Sequence, residues 1–175
     1  MGRLDEWKFC PRCGAAIELD GRHAVCPSCG FEEYGNPAPS VEALVVRDGK
    51  ALLARRGVEP HKGEWDLPGG FLEEDEHPLD AVRRELREET GLEIEVGPFL
   101  RAGLERYDRY DVVILSWLAS APEGEPHATD DVAELTWVAP DELPAPEEFA
   151  FGHHARLLAD WAAGTLPTKD EPNGP

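Results

Sequence analysis

Carboxylate side chains recur at fixed offsets in the stretch GFLEEDEHPLDAVRRELREETGL, which runs from Gly70 to Leu92. Glu85, Glu88 and Glu89 follow an i, i+3, i+4 pattern, which places side chains on one face of a helix. Clustered carboxylates repel one another, whereas a hard divalent cation such as Mg²⁺ prefers carboxylate oxygens and often shares its site with substrate phosphates. The spacing therefore predicts a metal site suited to phosphate chemistry.

A solvated helix rich in glutamate and arginine, supported by i, i+4 ion pairs, is the alternative interpretation of this stretch. That alternative explains neither the glycines at positions 70 and 91 nor the offset of Glu76. We therefore favour the metal site.

Four cysteines form a second group with metal-ligand spacing. They lie in two CPxCG units and are Cys10, Cys13, Cys26 and Cys29. Four thiolates presented on two tight turns match a tetrahedral structural zinc site. Two disulfides are the alternative, but the first residues lack the apolar run of a secretory signal, and disulfides persist in exported proteins. A redox CxxC motif is a further alternative. His23, between the two units, is expected on the surface or in a hairpin.

The charge balance limits the partners of the chain. Its 175 residues include 17 Lys and Arg against 36 Asp and Glu, a formal net charge of -19. Nucleic acids and anionic membranes select basic surfaces, so both are disfavoured as partners. The longest apolar stretch has about ten residues, below the ~20 needed to cross a bilayer. We expect a cytoplasmic protein without a membrane partner.

The elements that must position the carboxylates follow from apolar periodicity and turn residues. The pattern predicts a hairpin, a short strand followed by a loop that opens at the Pro-Gly-Gly sequence, and a helix that Gly91 ends. Three further strands and a C-terminal helix are predicted. In chain order these elements are Val41–Val46 and Ala51–Ala54, Gly63–Leu67, Leu79–Thr90, Leu92–Leu100, Tyr110–Ala119, Leu135–Val138 and Phe151–Ala163.

The spacing G-x5-E-x7-R-E-U-x-E-E-x-G-U, with U aliphatic, resembles the signature of the Nudix hydrolases, and every specified position is met. The resemblance implies an α/β fold, the Nudix α/β/α sandwich with a mixed sheet. Together with the cysteine units it is similar to zinc-ribbon-containing members, the NADH pyrophosphatase-like and ADP-ribose pyrophosphatase-like proteins. We expect a zinc ribbon at residues 1–36, a Nudix domain at 37–164 and a disordered tail at 165–175.

The resemblance implies hydrolysis of a pyrophosphate bond in a nucleoside diphosphate linked to a second group X, with Mg²⁺ or Mn²⁺ as catalytic metal. It makes the three glutamates and the backbone carbonyl of Gly69 metal ligands. It gives Arg84 the role of holding a carboxylate, and Glu76 that of steadying the loop or reaching the metal through water. The general base is a glutamate of the signature or one from a later loop, and the later candidates are Glu134, Glu147 and Glu148.

Five side chains are expected to contact the substrate, namely Arg55, Phe71, Tyr107, Arg109 and Tyr110. The two tyrosines flank a polar turn, where they could stack on a base or simply pack at the strand ends. The tryptophans Trp65, Trp117 and Trp137 alternate with apolar residues and are expected in the core.

The substrate stays open at this point. NADH pyrophosphatases carry an SQPWPFPxS array after the signature, and the chain lacks it, so ADP-ribose or another derivative is as plausible as NADH. A house-cleaning nucleoside triphosphate pyrophosphohydrolase is one alternative. A non-catalytic module that senses nucleotides or binds nucleic acid is the other. A homodimer is expected from the family alone.

Overall fold

The computed structural model describes residues 3–166 of the chain. The chain divides into two compact units. The first consists of Met1–Ala38 and Arg106–Val112, and the second of Pro39–Glu105 and Val113–Pro175. The tail predicted at 165–175 lies outside the described residues from position 167 onward, and Thr165 donates its amide to the carbonyl of Asp160 at 2.9 Å.

The first unit contains a small antiparallel sheet between and after the cysteine units. Its strands are β1 (Glu18–Asp20), β2 (His23–Val25) and β3 (Glu32–Tyr34). Strand β1 pairs with β2 across the Asp20-Gly21 turn, so His23 lies in a hairpin, one of the two places expected for it. His23 stacks on Tyr34 with ring centroids 4.4 Å apart.

The second unit is built on a seven-stranded mixed sheet. Strands β10, β5, β4, β9 and β8 follow one another across it, while β6 pairs with β5 and β7 pairs with β4. The bounds are β4 (Ala38–Arg47), β5 (Lys50–Arg56), β6 (Trp65–Asp66), β7 (Gly69–Phe71), β8 (Glu95–Tyr107), β9 (Tyr110–Ser120) and β10 (Val132–Val138).

Two helices cover the two faces of this sheet, α1 (Pro78–Thr90) and α2 (Gly152–Ala162). The side chains of β4 alternate between the faces, as a strand buried on both sides requires. Val41, Ala43 and Val45 enter the cluster that holds the apolar face of α1. Leu44 enters the cluster that holds Leu157 and Leu158 of α2. The expected sandwich is confirmed. By the same alternation, the side chain of Glu42 lies on the face of β4 that is covered by α2.

All of the predicted strands and helices form, but the bounds of each differ from the prediction by one residue or more. The short strand predicted at Gly63–Leu67 is limited to Trp65–Asp66, and the predicted loop after it contains strand β7. The strand predicted at Leu92–Leu100 begins later, at Glu95, and runs to Tyr107. Before Glu95, Leu92 and Ile94 are buried in the core, 1% and 9% exposed. The last helix spans Gly152–Ala162 rather than Phe151–Ala163.

The tryptophans expected in the core are mostly there. Trp65 and Trp117 are 9% and 8% exposed, and Trp137 packs against the α1 cluster while only partly buried. Of the helices in the described part of the chain, none combines the length and the apolar composition that crossing a membrane requires.

Candidate active site

Helix α1 positions the glutamates of the signature through its two ends and its buried stripe. It begins at Pro78, where a proline is tolerated because the first amides have no helical partner, and His77 caps it by accepting from the amide of Leu79. It ends where Gly91 adopts a φ of 69°. Glu89 lies seven residues after Val82 and so falls on the buried face of the helix.

On that face of the helix, Glu89 contacts strand β7, which contains Gly69 and Gly70 and is called the glycine strand below. The amide of Gly69 donates to Oε2 of Glu89 at 2.8 Å. Gly69 has a φ of +157°, and an added Cβ would lie 2.2 Å from the carbonyl oxygen of Val41, so the position admits only glycine. Burial raises the pKa of Glu89 well above its usual value, and the nearby carboxylates of Asp66, Glu85 and Asp131 act in the same direction.

Glu85 stands over the neighbouring glycine. An added Cβ at Gly70 would lie 2.5 Å from the carboxyl carbon of Glu85, so the missing side chain leaves the space that the carboxylate occupies. Burial raises the pKa of Glu85, although Arg84 lowers it in part. Glu88 is more open, with half of its side chain exposed.

Arg84 forms ion pairs with three of the acidic residues, Glu76, Glu85 and Glu88. Its Nε and one terminal nitrogen donate to the two oxygens of Glu76, both at 2.8 Å, which is the bidentate geometry of a strong pair. Its other terminal nitrogen donates to Glu85 at 2.8 Å and to Glu88 at 3.1 Å. The hydrogen bonds from Arg84 lower the pKa of Glu76 to about 2. Arg84 also donates to the backbone carbonyl of Phe71, so it joins helix, loop and strand.

The donor set suits a hard divalent cation. Glu85, with 13% of its side chain exposed, and the buried Glu89 lie beside a bare glycine backbone. Arg84 pairs with Glu76, Glu85 and Glu88, whereas Glu89 accepts from the amide of Gly69. Burial raises the pKa of each, the neighbouring carboxylates add to the effect, and a bound cation would favour the ionised forms. The oxygens of the three signature glutamates are not drawn together into one cluster. Among residues 3–166, only the cysteine sulfurs form a group of three or more such ligand atoms within 4.8 Å of one another.

The four cysteines lie together in the first unit. The sulfurs of Cys10 and Cys29 are 3.7 Å apart, and those of Cys13 and Cys26 are 3.6 Å apart. A Zn–S bond of about 2.3 Å gives a tetrahedron with edges of about 3.8 Å, so the spacing fits zinc and is too long for a disulfide. Burial opposes ionisation of Cys26, but amide hydrogen bonds outweigh it and lower its pKa to about 7.

The residues predicted to contact substrate divide between the two units. Phe71 lies in the second unit, where its carbonyl accepts from Arg84. Arg55, in the same unit, lies over the ring of Trp65 at 4.0 Å and bonds to Glu134 at 3.0 Å. Tyr107, Arg109 and Tyr110 belong to the first unit, at the β8–β9 turn. Arg109 pairs there with Glu6 at 2.8 Å, and the two tyrosine rings are 5.8 Å apart.

The candidates for general base beyond the helix have other contacts. Glu134 pairs with Arg55, and half of its side chain is exposed. Glu147 and Glu148 lie in a short 3₁₀ helix, Pro146–Glu148. Glu148 accepts from the amide of Ala145 at 2.9 Å, which stabilises that turn. Each assignment stays a prediction.

Sequence reasoning missed a set of buried polar side chains in the second unit. We name this set the buried network, and it consists of the buried Glu42, Asp66, Ser116, His153 and His154 together with the partly buried Arg56. Burial alone would raise the pKa of Glu42, but His154 and His153 outweigh burial and lower it to about 2. Burial likewise opposes the charge on His154, but Glu42 and Asp66 raise its pKa to about 10. One signal was available, since Glu42 interrupts the apolar run of β4.

Known proteins resemble the chain along most of its length. The family model for the NUDIX domain matches residues 36–161. An ADP-ribose pyrophosphatase of Methanocaldococcus jannaschii is 35% identical over 133 residues, which cover 75% of this chain and 76% of the relative. The NAD-capped RNA hydrolase NudC of Pseudomonas aeruginosa is 30% identical over 153 residues, covering 84% of this chain and 53% of the relative, so the chain spans about half of that protein.

A solved structure agrees with these sequence matches. The crystal structure of a Nudix hydrolase from Nitrosomonas europaea has a TM-score of 0.76 at 26% identity, and the likeness covers 89% of this chain and 90% of that one. Residues 36–161, which match the family model, contain the whole signature, helix α1 and the sheet that includes strand β7. The chain therefore belongs to the Nudix family of hydrolases.

Proposed function

We propose that the chain hydrolyses the pyrophosphate bond of a nucleoside diphosphate linked to a second group, such as ADP-ribose or a dinucleotide. One observation carries the proposal: the buried Glu89 contacts Gly69, the partly buried Glu85 contacts the adjacent Gly70, and Arg84 is one cation against Glu76, Glu85, Glu88 and Glu89. Such a cluster calls for a cation, and a cation held there can in turn hold two phosphates. The similarity to an ADP-ribose pyrophosphatase favours this class of substrate.

Each residue of the site has a part in this proposal. Glu85, Glu88 and Glu89 would hold Mg²⁺ or Mn²⁺, with the carbonyl of Gly69 as a further ligand. The metal would supply charge neutralisation on the phosphates and a bound water of lowered pKa. Arg84 fixes the direction of Glu85 and keeps Glu76 ionised. The amide of Gly69 occupies one oxygen of Glu89 and so leaves the other free to bind.

The proposal extends to the first unit and to the setting of the protein. The four cysteines would bind one Zn²⁺ with a structural role, because their spacing matches a tetrahedron of sulfurs. Thiolates that hold zinc must stay reduced, which favours a cytoplasmic location. A homodimer also belongs to the proposal, and light scattering of the purified protein tests it.

A nucleotide panel tests the substrate class. The panel contains ADP-ribose, NADH, NAD, ADP-glucose, diadenosine polyphosphates, dNTPs and an NAD-capped RNA, each with Mg²⁺ or Mn²⁺. Chromatography that yields AMP and ribose 5-phosphate from ADP-ribose supports the proposal. Release of inorganic pyrophosphate from dNTPs, with no cleavage of the linked diphosphates, supports the triphosphate alternative instead. Turnover of the capped RNA alone would contradict the expectation that nucleic acid is not a partner.

Two variants test the metal ligands. Glu88→Gln and Glu89→Gln remove a charged ligand without changing shape, and we expect kcat to fall about 10²-fold or more, because the metal contributes several kcal/mol of charge stabilisation. Glu93→Gln is the matched control, since Glu93 pairs with Arg87 on the surface. Full activity in both ligand variants would refute the assignment.

A further inference from the structure

The buried network places alternating charges in the interior of the second unit. Nε2 of His154 forms a hydrogen bond of 2.6 Å with Oε2 of Glu42. Its Nδ1 lies 2.9 Å from Oδ1 of Asp66, an ion-pair contact that lacks the geometry of a hydrogen bond. The other carboxylate oxygen of Asp66 accepts from Arg56 at 2.6 Å. His154 is 1% exposed and Glu42 is 3% exposed, so the histidine bridges two acids out of reach of water.

Two more side chains close the network around Glu42. The hydroxyl of Ser116 donates to Oε1 of Glu42 at 2.7 Å and lies 2.8 Å from Nε2 of His153. The backbone amide of His153 donates to Glu105 at 2.7 Å. The network therefore joins α2 to strands β4, β5, β6 and β9. Buried ion pairs contribute little net stability compared with apolar residues, so stability alone does not account for the buried network.

Both of the acidic residues that contact His154 also contact the backbone at or near Gly69. Oδ1 of Asp66 accepts from the amide of Leu67 at 2.8 Å, which fixes the chain two residues before Gly69. Glu42 is the partner of Gly69 in the β4–β7 pairing, and an added Cβ on Gly69 would lie 2.6 Å from Cα of Glu42. Gly69 in turn donates to Glu89. One histidine thus constrains the strand that orients Glu89 from both sides.

We infer that His154 is a positioning residue for the carboxylate site: by bridging Glu42 and Asp66 it holds Gly69 where its amide orients Glu89 for a divalent cation. The inference rests on the proposed function, since it assigns a purpose to the metal site proposed above. His154 itself touches neither substrate nor metal. Its effect passes through two backbone segments, Leu67–Gly69 and the β4–β7 pair.

Manganese binding to purified variants tests the inference directly. His154→Gln keeps one amide donor but cannot bridge two carboxylates, and Glu42→Gln removes one of the bridged charges without a change of shape. The two variants are independent, so one that fails to fold leaves the other to be measured. Leu158→Ala is the control, because Leu158 lies one turn later on α2, is 1% exposed and belongs to the apolar cluster. Its cavity destabilises the same helix without touching the network.

Mn²⁺ titrations followed by electron paramagnetic resonance give the dissociation constant of each folded protein well below its melting temperature. We expect the constant to rise about tenfold in His154→Gln and in Glu42→Gln, as for outer residues that orient metal ligands. We expect Leu158→Ala to match the wild type despite a comparable or larger loss of melting temperature. Wild-type Mn²⁺ affinity in both network variants would overturn the inference and leave the network a purely structural role.

The failure of this inference is distinguishable from failure of the proposed function. If the wild type binds Mn²⁺ but cleaves none of the nucleotides in the panel, only the substrate proposal falls, and the comparison of dissociation constants still decides the role of His154. If the wild type binds no Mn²⁺, the carboxylate site and the inference fall together.

Discussion

Replacing Gly69 with alanine perturbs the site through the backbone alone. The added Cβ would lie 2.2 Å from the carbonyl oxygen of Val41 and 2.6 Å from Cα of Glu42. Ordinary contacts between such atoms are about 3.5 Å long. Both contacted atoms belong to the main chain, so no side-chain rotation can relieve the clash. Strand β7 must therefore move away from β4 by about 1 Å.

A shift of that size acts on the carboxylate that Gly69 orients. The hydrogen bond from Gly69 to Glu89 is 2.8 Å long, and a movement of about 1 Å carries it beyond hydrogen-bond range. Misplacement of a catalytic group by about 1 Å can cost roughly 10²-fold in rate. We expect kcat of Gly69→Ala to fall by about that factor, measured with Mg²⁺ on the best substrate of the panel.

Gly49→Ala is the matched control for this experiment. Gly49 has a φ of +73° in the turn between β4 and β5, and an added Cβ there meets nothing within 4 Å. Gly49→Ala therefore loses about 1 kcal/mol of folding stability, because alanine disfavours a left-handed conformation, but it introduces no clash near the site. The reasoning fails if Gly69→Ala keeps wild-type kcat, or if Gly49→Ala loses as much.

Three further predictions concern the core and the first unit. Gly103→Ala should lower the melting temperature in calorimetry, because its Cβ would lie 2.3 Å from Nδ1 of the buried His153. Raising the pH from about 6.5 toward 10 should lower the free energy of unfolding in urea titrations. The pKa of His154 is about 10 in the folded protein and about 6.5 in the unfolded chain. The stability that the charged His154 contributes is therefore complete below about pH 6.5 and is lost as the pH rises through about 10. If the four cysteines hold zinc as proposed, Cys29→Ser should contain less zinc than the wild type in metal analysis and unfold the first unit, because the folding of such small sites depends on the metal.

Each of these three has an outcome that contradicts it. An unchanged melting temperature in Gly103→Ala would mean that the ring of His153 moves at no cost. His154→Gln serves as the control for the pH series, and an identical slope in both proteins would exclude His154 as its source. Retention of one equivalent of zinc by Cys29→Ser would contradict a site made of four cysteines.

Helix α1 and the cysteine turns could be predicted because their signals are local. A proline at the first helical position and a glycine just beyond the last one bracket the helix, and the structure begins it one residue earlier than the prediction, at Pro78. The cysteine spacing implies the sulfur cluster in the same way, since each pair is presented by a single turn. Neither inference needs a distant part of the chain.

Strand β7 could not be predicted, because its signal is not local. Pro68-Gly69-Gly70 has the composition of a loop, and glycine is depleted in strands. The segment becomes a strand because the backbone of Val41 and Glu42 lies beside it and supplies partners for its amides and carbonyls. At Gly69 a side chain would prevent that approach, so the residue that argues against a strand is the one that allows this pairing.

The charged residues of the buried network could not be predicted from the local sequence either. Glu42 is a single acid within an apolar strand, and His154 precedes Leu157 and Leu158 at helical spacing, so each position is consistent with a core face. Neither charge is tolerable there alone, because an unpaired buried charge costs several kcal/mol. An apolar residue at position 154 could fill the space, but it could not orient Asp66, whose carboxylate accepts the amide of Leu67 just before the glycine strand. The network therefore makes physical sense as an arrangement that positions Gly69 in addition to pairing its buried charges.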